Sequence, residues 1–211
     1  MSKGRFLVLE GIDGAGTTTQ AALLQQWLEK KGVKTITTRE PSDGPIGGTI
    51  RNALRGRICL PEAAGLKPLR KETIALLFAA DRVDHVYAEI QPALEAGVWV
   101  ISDRYVHSSI AYQGTLIDVD WVVEINRYAV APDLNLFLRI EPDVALGRIS
   151  KTRVQKDLFE TRDLLTRIAD GYDKFYQKNP EQTVVLDSTL PVDQVHGNII
   201  SALTVAFPEL A

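Results

Sequence analysis

A glycine-rich segment near the start of the chain has the spacing of a phosphate-binding loop. Gly11 and Gly16 are separated by four residues, an apolar β-rich run precedes them, and a helical pattern follows. In such a P-loop, glycines let backbone N–H groups turn toward phosphate oxygens, and the helix N-terminus adds a favourable dipole. Thr18 occupies the position whose hydroxyl helps to hold Mg2+. The segment therefore predicts a nucleotide-phosphate site formed by Gly11, Asp13, Gly14, Ala15, Gly16, Thr17, Thr18 and Thr19.

One position departs from the usual P-loop pattern. The lysine that normally follows the last glycine is Thr17 here. That lysine reaches the β- and γ-phosphates as a positive charge, and a neutral hydroxyl does not replace it electrostatically. The alternative interpretation is a glycine-rich strand-to-helix turn with no ligand. The strand before the segment and the helix after it favour the P-loop.

Charged residues follow two further β-rich runs. Arg39 comes after the second run, and Asp103 and Arg104 come after the third. Because ligands of parallel sheets bind at the carboxyl ends of the strands, these residues are candidates for the same site. An arginine there can hold a phosphate with a bidentate fork, and an aspartate beside a P-loop can act on the Mg2+ shell or as a base. The alternatives are a surface arginine paired with Glu40 or another acid, and an Asp-Arg ion pair that closes a turn.

A helical stretch in the middle of the chain carries a ring and a cation on one face. Phe78 and Arg82 are four residues apart and therefore share a helix face. A ring for stacking beside a hydrogen-bond donor suits a planar base, and an arginine donor prefers the O4 acceptor of thymine or uracil to the amino group of cytosine. The alternative is an aromatic core residue and a solvated arginine.

A basic segment follows the fourth β-rich run. Arg148, Lys151, Arg153 and Lys156 place four positive charges within nine residues. Such a run is usually a solvated face. Because this one comes after a strand, on the same edge as the P-loop, residues 148–158 are predicted to be a small lid that closes on the transferring phosphates.

The apolar pattern predicts the elements that must position these residues. Short β-rich runs at residues 5–10, 33–38, 98–102, 133–140 and 183–187 alternate with helical stretches at 18–31, 68–96, 120–131, 143–150, 159–177 and 192–207. Mostly apolar strands separated by helices indicate a doubly wound α/β fold, with a five-stranded parallel sheet and helices on both faces.

Composition narrows the class of protein. The 211 residues are 45% hydrophobic and 24% charged, which predicts one globular domain over residues 1–211. The net charge of −3 argues against a protein that coats nucleic acid. Cys59 is the only cysteine and cannot form an internal disulfide, and no apolar run reaches the ~18 residues of a membrane helix. We expect a cytoplasmic protein without a nucleic-acid or membrane partner.

Together these motifs resemble the thymidylate kinase family of P-loop nucleoside monophosphate kinases. The resemblance runs from Phe6 to about Asp187 and is carried most specifically by residues 38–41 (Thr-Arg-Glu-Pro), 77–82 (Leu-Phe-Ala-Ala-Asp-Arg) and 103–113. It implies transfer of a phosphoryl group from ATP to dTMP with Mg2+, in the synthesis of dTTP. It also implies a homodimer, because thymidylate kinases are commonly dimeric.

The resemblance also implies roles for individual residues. The P-loop lacks an arginine, so the chain is similar to the members that carry the catalytic arginine on the lid, with Arg153 in that role and Arg148 nearer the adenine of ATP. Asp103 joins Thr18 at the metal. The catalytic residues would be Arg104, Asp103, Arg153 and Asp13. The dTMP contacts would be Asp13, Arg39, Phe78, Arg82, Arg104, Ser108, Ser109 and Tyr112.

Two other functions remain open at the level of sequence. The first is a nucleotide-binding relative that has lost catalysis, because Thr17 removes a charge that phosphoryl transfer normally uses. The second is a P-loop kinase for another nucleoside or nucleotide. A dTMP kinase and a kinase for another acceptor both require ATP-dependent turnover, and they differ in the acceptor that is phosphorylated. A relative that has lost catalysis would bind dTMP without turnover.

Overall fold

The strands of the structure follow the β-rich runs closely. The computed structural model describes residues 3–62, 65–152, 161–180 and 183–211. Within these ranges the strands are β1 (Phe6–Glu10), β2 (Thr35–Arg39), β3 (Cys59–Glu62), β4 (Gly65–Pro68), β5 (Trp99–Asp103), β6 (Leu134–Arg139) and β7 (Thr183–Asp187). The helices are α1 (Thr17–Lys30), α2 (Pro45–Leu54), α3 (Lys71–His85), α4 (Gln91–Glu95), α5 (Val106–Tyr112), α6 (Val119–Ile125), α7 (Pro142–Thr152), α8 (Arg162–Lys178) and α9 (Val192–Ala206). A π-helical turn, Val86–Ile90, joins α3 to α4.

Five of the strands form one parallel sheet in the order β2-β5-β1-β6-β7. β1 lies at the centre, with Leu9 opposite Asp103 of β5, and Asp103 in turn opposite Arg39 of β2. The predicted five-stranded parallel sheet is therefore confirmed. Its register brings the carboxyl ends of β2, β5 and β1 to one edge, where a ligand of a parallel sheet binds.

Alternate residues of β1 pack into two hydrophobic cores. Leu7 and Leu9 belong to the larger core, which includes residues of α1, α5, α7, α8 and α9. Phe6 and Val8 point to the other face, where Val86, Ile90 and Leu94 of the π turn and α4 cover them. Strand β1 is buried along its full length, as the absence of polar alternation in its sequence predicts for a strand covered on both faces.

Two elements between β2 and α3 are absent from the sequence prediction. No helix is predicted between residues 38 and 68, because Gly47 and Gly48 weaken the helical pattern, yet α2 begins at Pro45. Gly47 is needed there because a Cβ at this position would lie 2.0 Å from the carbonyl oxygen of Ser42. The second element is the β3–β4 hairpin, in which Pro68 pairs with Cys59, so the helix expected from Pro68 begins at Lys71.

Two shorter helices also differ from the prediction. α5 was not predicted, because its apolar and polar residues do not repeat over enough turns to give a helical period. The helix expected over residues 120–131 ends at Ile125, and it begins where the Asp118 side chain accepts a hydrogen bond from the backbone N–H of Trp121, 2.7 Å away. Among the described helices, none is long and apolar enough to cross a membrane.

Candidate active site

The P-loop joins the carboxyl end of β1 to α1, as the spacing predicts. Gly14 and Gly16 have positive φ angles of 83° and 92°, a conformation that glycine adopts without a steric cost. A side chain at Gly14 would also meet α7, because a Cβ there would lie 2.7 Å from the carbonyl oxygen of Ala145. Helix α1 begins at Thr17, so the backbone N–H groups of its first turn are the donors that a phosphate can use.

The two predicted metal-site residues are in direct contact. The hydroxyl of Thr18 donates a hydrogen bond to Oδ2 of Asp103, the last residue of β5. The other oxygen, Oδ1 of Asp103, is buried and has no hydrogen-bond partner among the described residues. A buried carboxylate oxygen without a donor beside a hydroxyl fits Mg2+, which is held in nucleotide sites by one or two protein oxygens together with waters and phosphates.

Asp13, Arg104 and Tyr112 form a hydrogen-bonded triangle between the P-loop and α5. Nη2 of Arg104 lies 2.8 Å from Oδ1 of Asp13, and Nη1 donates to the Tyr112 hydroxyl at 2.9 Å. The backbone N–H of Asp13 donates to the same hydroxyl at 3.0 Å. Burial raises the pKa of Tyr112, so the phenol stays neutral. The triangle holds the Arg104 guanidinium against the phosphate loop.

A cavity of about 250 Å³ opens beside this triangle. Its lining includes seven of the eight residues that the resemblance predicts to contact dTMP, and the exception is Arg39. Its lining consists of Asp13, Glu40, Pro41, Arg51, Leu54, Arg55, Phe78, Arg82, Arg104, Tyr105, Ser108, Ser109, Tyr112 and Gln113. Four arginines but only two carboxylates line the cavity, so it suits an anionic ligand with an apolar, planar part.

Arg82 is buried in this wall, contrary to the alternative of a solvated arginine. Its side chain is 1% exposed, and Nη2 lies 2.5 Å from Oε2 of Glu40, which is 2% exposed. Nη1 donates to the side chain of Asn126, and Nη2 lies 3.0 Å from the Ser109 hydroxyl. Nε has no partner among the described residues. Arg82 is therefore fixed by its terminal nitrogens and retains one unused donor.

The two serines of α5 contact protein groups. The Ser108 hydroxyl donates to Oε2 of Glu10 at 2.6 Å, and the Ser109 hydroxyl accepts the hydrogen bond from Arg82. Phe78 is half-buried and lines the cavity. The two serines thus shape the wall mainly by holding other side chains, and Phe78 contributes an aromatic ring to the lining.

Arg39 lies outside the cavity lining, and two arginines that the sequence analysis does not identify, Arg51 and Arg55, lie in it. The Arg39 side chain is 62% exposed and pairs with Asp43 at 2.8 Å. Arg51 of α2 lines the cavity instead, where its Nη1 donates to the carbonyl oxygens of Pro41 and Ser42. Only recognition of α2 as a helix could have placed Arg51 there, since it follows no strand.

A second cavity, of about 750 Å³, lies on the other side of the P-loop. Its lining includes the loop itself, Thr17 to Gln20, and residues 188–192 after β7. Arg148 of α7 reaches this cavity, with Nη2 2.8 Å from the carbonyl oxygen of Ser188 and Nη1 3.4 Å from that of Gly14. Lys151 also lines it. Arg153 and the rest of the predicted lid, residues 153–158, lie outside the described residues.

Asp13 and Arg104 line both cavities. A P-loop cavity that shares a wall with an arginine-rich pocket, at the carboxyl edge of a five-stranded parallel sheet, defines a P-loop kinase of the nucleoside monophosphate type. Comparison with known proteins narrows the class further. Residues 9–199 match the family model described as thymidylate kinase.

Relatives from archaea and bacteria agree with this match. The chain is 39% identical over 201 residues to a probable thymidylate kinase of Thermococcus kodakarensis, covering 94% of this chain and 96% of the relative. It is 40% identical over 209 residues to a thymidylate kinase of Synechococcus sp., covering 93% and 94%, and 36% identical over 207 residues to one of Clostridium novyi, covering 94% and 98%. The chain therefore belongs to the thymidylate kinase family.

The buried ion pair of Arg82 gives a stability prediction. Arg82→Met should lower the free energy of unfolding by about 3–5 kcal/mol, because it leaves the buried carboxylate of Glu40 without its cation. Arg39→Met is the matched control, since it removes an exposed ion pair and should change stability by less than about 1 kcal/mol. Urea unfolding followed by circular dichroism measures both. Equal effects of the two substitutions would contradict this account of Arg82.

Proposed function

We propose that this protein transfers the γ-phosphoryl group of ATP to the phosphate of dTMP and forms dTDP. The observation that carries the proposal is the common wall of the two cavities, in which Asp13 and Arg104 face both. A donor phosphate bound to the P-loop and an acceptor phosphate at Arg104 would be brought together there. Phosphoryl transfer depends mainly on such positioning and on neutralisation of charge.

The acceptor cavity suits thymine as the base. The Phe78 ring offers a stacking surface, and Arg82 lies in the same wall with an unused N–H donor at Nε. A fixed guanidinium donates hydrogen bonds and accepts none, so it favours the O4 oxygen of thymine and disfavours the amino group of cytosine. Tyr112, which the Arg104 and Asp13 bonds hold in place, would crowd the 2′ position of a ribose.

Three arginines support binding of the acceptor phosphate. Arg104 and Arg51 line the cavity, and Arg104 is positioned by Asp13 through a charge-assisted bond. Arg39 stands at the end of β2, opposite Asp103, and would have to leave Asp43 to take part. The acceptor phosphate is already an anion near neutral pH, so the reaction does not need a strong general base.

Mg2+ is the proposed metal, with Thr18 and Asp103 as its protein ligands. Thr18 and Asp103 would hold the ion, which would supply positive charge to offset that of the donor phosphates. Asp103 can accept this role because one of its oxygens has no donor among the described residues. Thr18 stands in the first turn of α1, where its hydroxyl can turn from Asp103 to the ion.

The charge of the missing P-loop lysine would come from the lid side of the donor cavity. Arg148 and Lys151 of α7 line that cavity, and Arg153 follows directly in the sequence. Arg153 is our candidate for the catalytic arginine, with Arg148 nearer the adenine. Arg148 and Lys151 alone already leave the protein with cations at the donor site although Thr17 is neutral.

Acceptor specificity tests the proposed reaction. With ATP and Mg2+, the purified protein should phosphorylate dTMP, with dUMP a modestly poorer acceptor and dCMP and thymidine at least about 10²-fold poorer, since each unsatisfied polar contact in a buried site is costly. A coupled assay of ADP release measures kcat/KM for each acceptor, and EDTA should abolish the activity. Preference for thymidine or dCMP would contradict a dTMP kinase, and binding of dTMP without turnover would indicate a catalytically inactive relative.

A homodimer is the proposed assembly, formed by the outer face of α3, the π-helical turn after it and α6. Leu76, Val83 and Tyr87 are 50%, 51% and 80% exposed at helical spacing, and Val119 and Val123 of the adjoining α6 are 43% and 44% exposed. A continuous apolar stripe of this kind can cover itself through a two-fold axis. Light scattering should give about 47 kDa, twice the 23.3 kDa of the chain. The variant Tyr87→Asp should be monomeric, whereas a monomeric wild type would contradict the proposal.

A further inference from the structure

Glu10 is a fully buried carboxylate that the proposed reaction does not use. It is the last residue of β1 and is 0% exposed. Four donors surround it. The backbone N–H groups of Tyr105 and Ser108 lie 3.0 and 3.2 Å from Oε1, and the hydroxyls of Ser108 and Tyr172 lie 2.6 and 2.9 Å from Oε2. Burial raises the pKa of Glu10, and the two hydroxyl donors oppose that rise.

The two backbone donors belong to the start of α5. Tyr105 is the N-cap residue of this helix, and its side chain makes no capping hydrogen bond. The first N–H groups of a helix have no partner within the helix and need an acceptor from elsewhere. Glu10 supplies that acceptor from a neighbouring strand, because one of its oxygens receives the N–H groups of the N-cap residue and of the third helical residue. A capping box within one segment performs the same task.

The residue before this cap is Arg104, which has an unusual backbone conformation. Its φ angle is 71°, and it is the only described residue other than glycine with a positive φ. Such a conformation is strained for a residue that carries a Cβ atom, and it persists only where the surroundings fix it. The backbone N–H of Arg104 donates to the carbonyl oxygen of Leu9 at 2.9 Å, and the next N–H donates to Glu10. Successive residues of β1 therefore hold the backbone on both sides of the Arg104 Cα atom.

We propose that Glu10 is the positioning residue of the acceptor site, acting through the start of α5. α5 carries Ser109 and Tyr112, and it begins two residues after Arg104. The capped start of this helix therefore sets the positions of these three residues relative to the P-loop. Glu10 itself lines neither cavity. This inference rests on the proposed function, since the effect on dTMP is read through dTMP phosphorylation.

Substitutions in this network separate the hydrogen-bond acceptor that Glu10 offers to α5 from the negative charge of its carboxylate and from the donor at Tyr172. Glu10→Gln keeps an acceptor for the two backbone N–H groups, and its amide can donate to both hydroxyls. Glu10→Ala removes the acceptor altogether. Tyr172→Phe is the matched control for the buried network. It removes one donor to Oε2 and the contact of the Tyr172 hydroxyl with the Ser108 hydroxyl, 2.7 Å away, but it leaves the bonds from the backbone N–H groups of Tyr105 and Ser108 to Glu10 in place.

The test combines steady-state kinetics with amide hydrogen exchange. Glu10→Ala should lower kcat/KM for dTMP about 10²-fold, the scale of a small misplacement of binding groups, while the KM for ATP changes less than about threefold. The kcat/KM of Glu10→Gln for dTMP should be within about tenfold of the wild-type value, and that of Tyr172→Phe within about threefold. In the ligand-free protein, Glu10→Ala should lose exchange protection at residues 105–109, and Glu10→Gln should keep it.

Two results would overturn the proposal. One is a folded Glu10→Ala protein in which residues 105–109 keep wild-type protection from amide exchange. The other is an equal weakening of the kinetic constants for ATP and for dTMP. Should Glu10→Ala fail to fold, Glu10→Asp takes its place, because it keeps the charge but shortens the reach by one methylene. If the wild type does not phosphorylate dTMP, the proposed function is wrong. The amide-exchange experiment still tests whether Glu10 fixes the start of α5.

Discussion

The buried ion pair between Glu40 and Arg82 is the interaction on which the acceptor side of the site depends. Neither charge could stay in a wall that excludes water without the other, because desolvation of an unpaired ion costs several kcal/mol. Once formed, the pair ties the segment after β2 to α3. The buried carboxylate of Asp81 strengthens the same junction by accepting both the backbone N–H and the hydroxyl of Ser42, each at 2.7 Å. The guanidinium thereby becomes a fixed part of the cavity wall.

The donor side is organised differently, by backbone rather than by buried charge. Two glycines with positive φ form the phosphate loop, α7 packs against Gly14, and Arg104 bridges to Asp13. The positive charge that a P-loop lysine normally contributes is absent at Thr17. The cations on this side stand on α7, which leads into the segment that the sequence predicts as a lid. On the donor side the described cations are therefore Arg148 and Lys151 of α7, whereas on the acceptor side the charge of Arg82 is part of a buried ion pair in the cavity wall.

The features that could be predicted from the sequence are those that depend on the local residue pattern or on a position at the end of a strand. The five strands of the sheet are short runs rich in β-branched and apolar residues. The P-loop follows β1, and Asp103 and Arg104 lie at the end of β5, so both their elements and their common edge could be predicted. α2 could not, because Gly47 and Gly48 look like a loop until the close contact with Ser42 explains them. Arg51 was missed with α2. The role of Glu10 was also beyond the sequence, since its partners Ser108 and Tyr172 lie 98 and 162 residues away in the chain.

We infer that cations outside the P-loop replace the missing lysine, so that dTMP is phosphorylated with the neutral Thr17 in the loop. Turnover of dTMP by Thr17→Lys, measured beside the wild type with saturating ATP and Mg2+, is the decisive experiment. We predict that the wild type turns over and that the added lysine leaves kcat unchanged or lowers it, because the donor site is built around a neutral residue. A rise of about 10²-fold or more, the scale of restoring one preorganised charge in a buried site, would contradict it and would mean that the natural site is electrostatically incomplete.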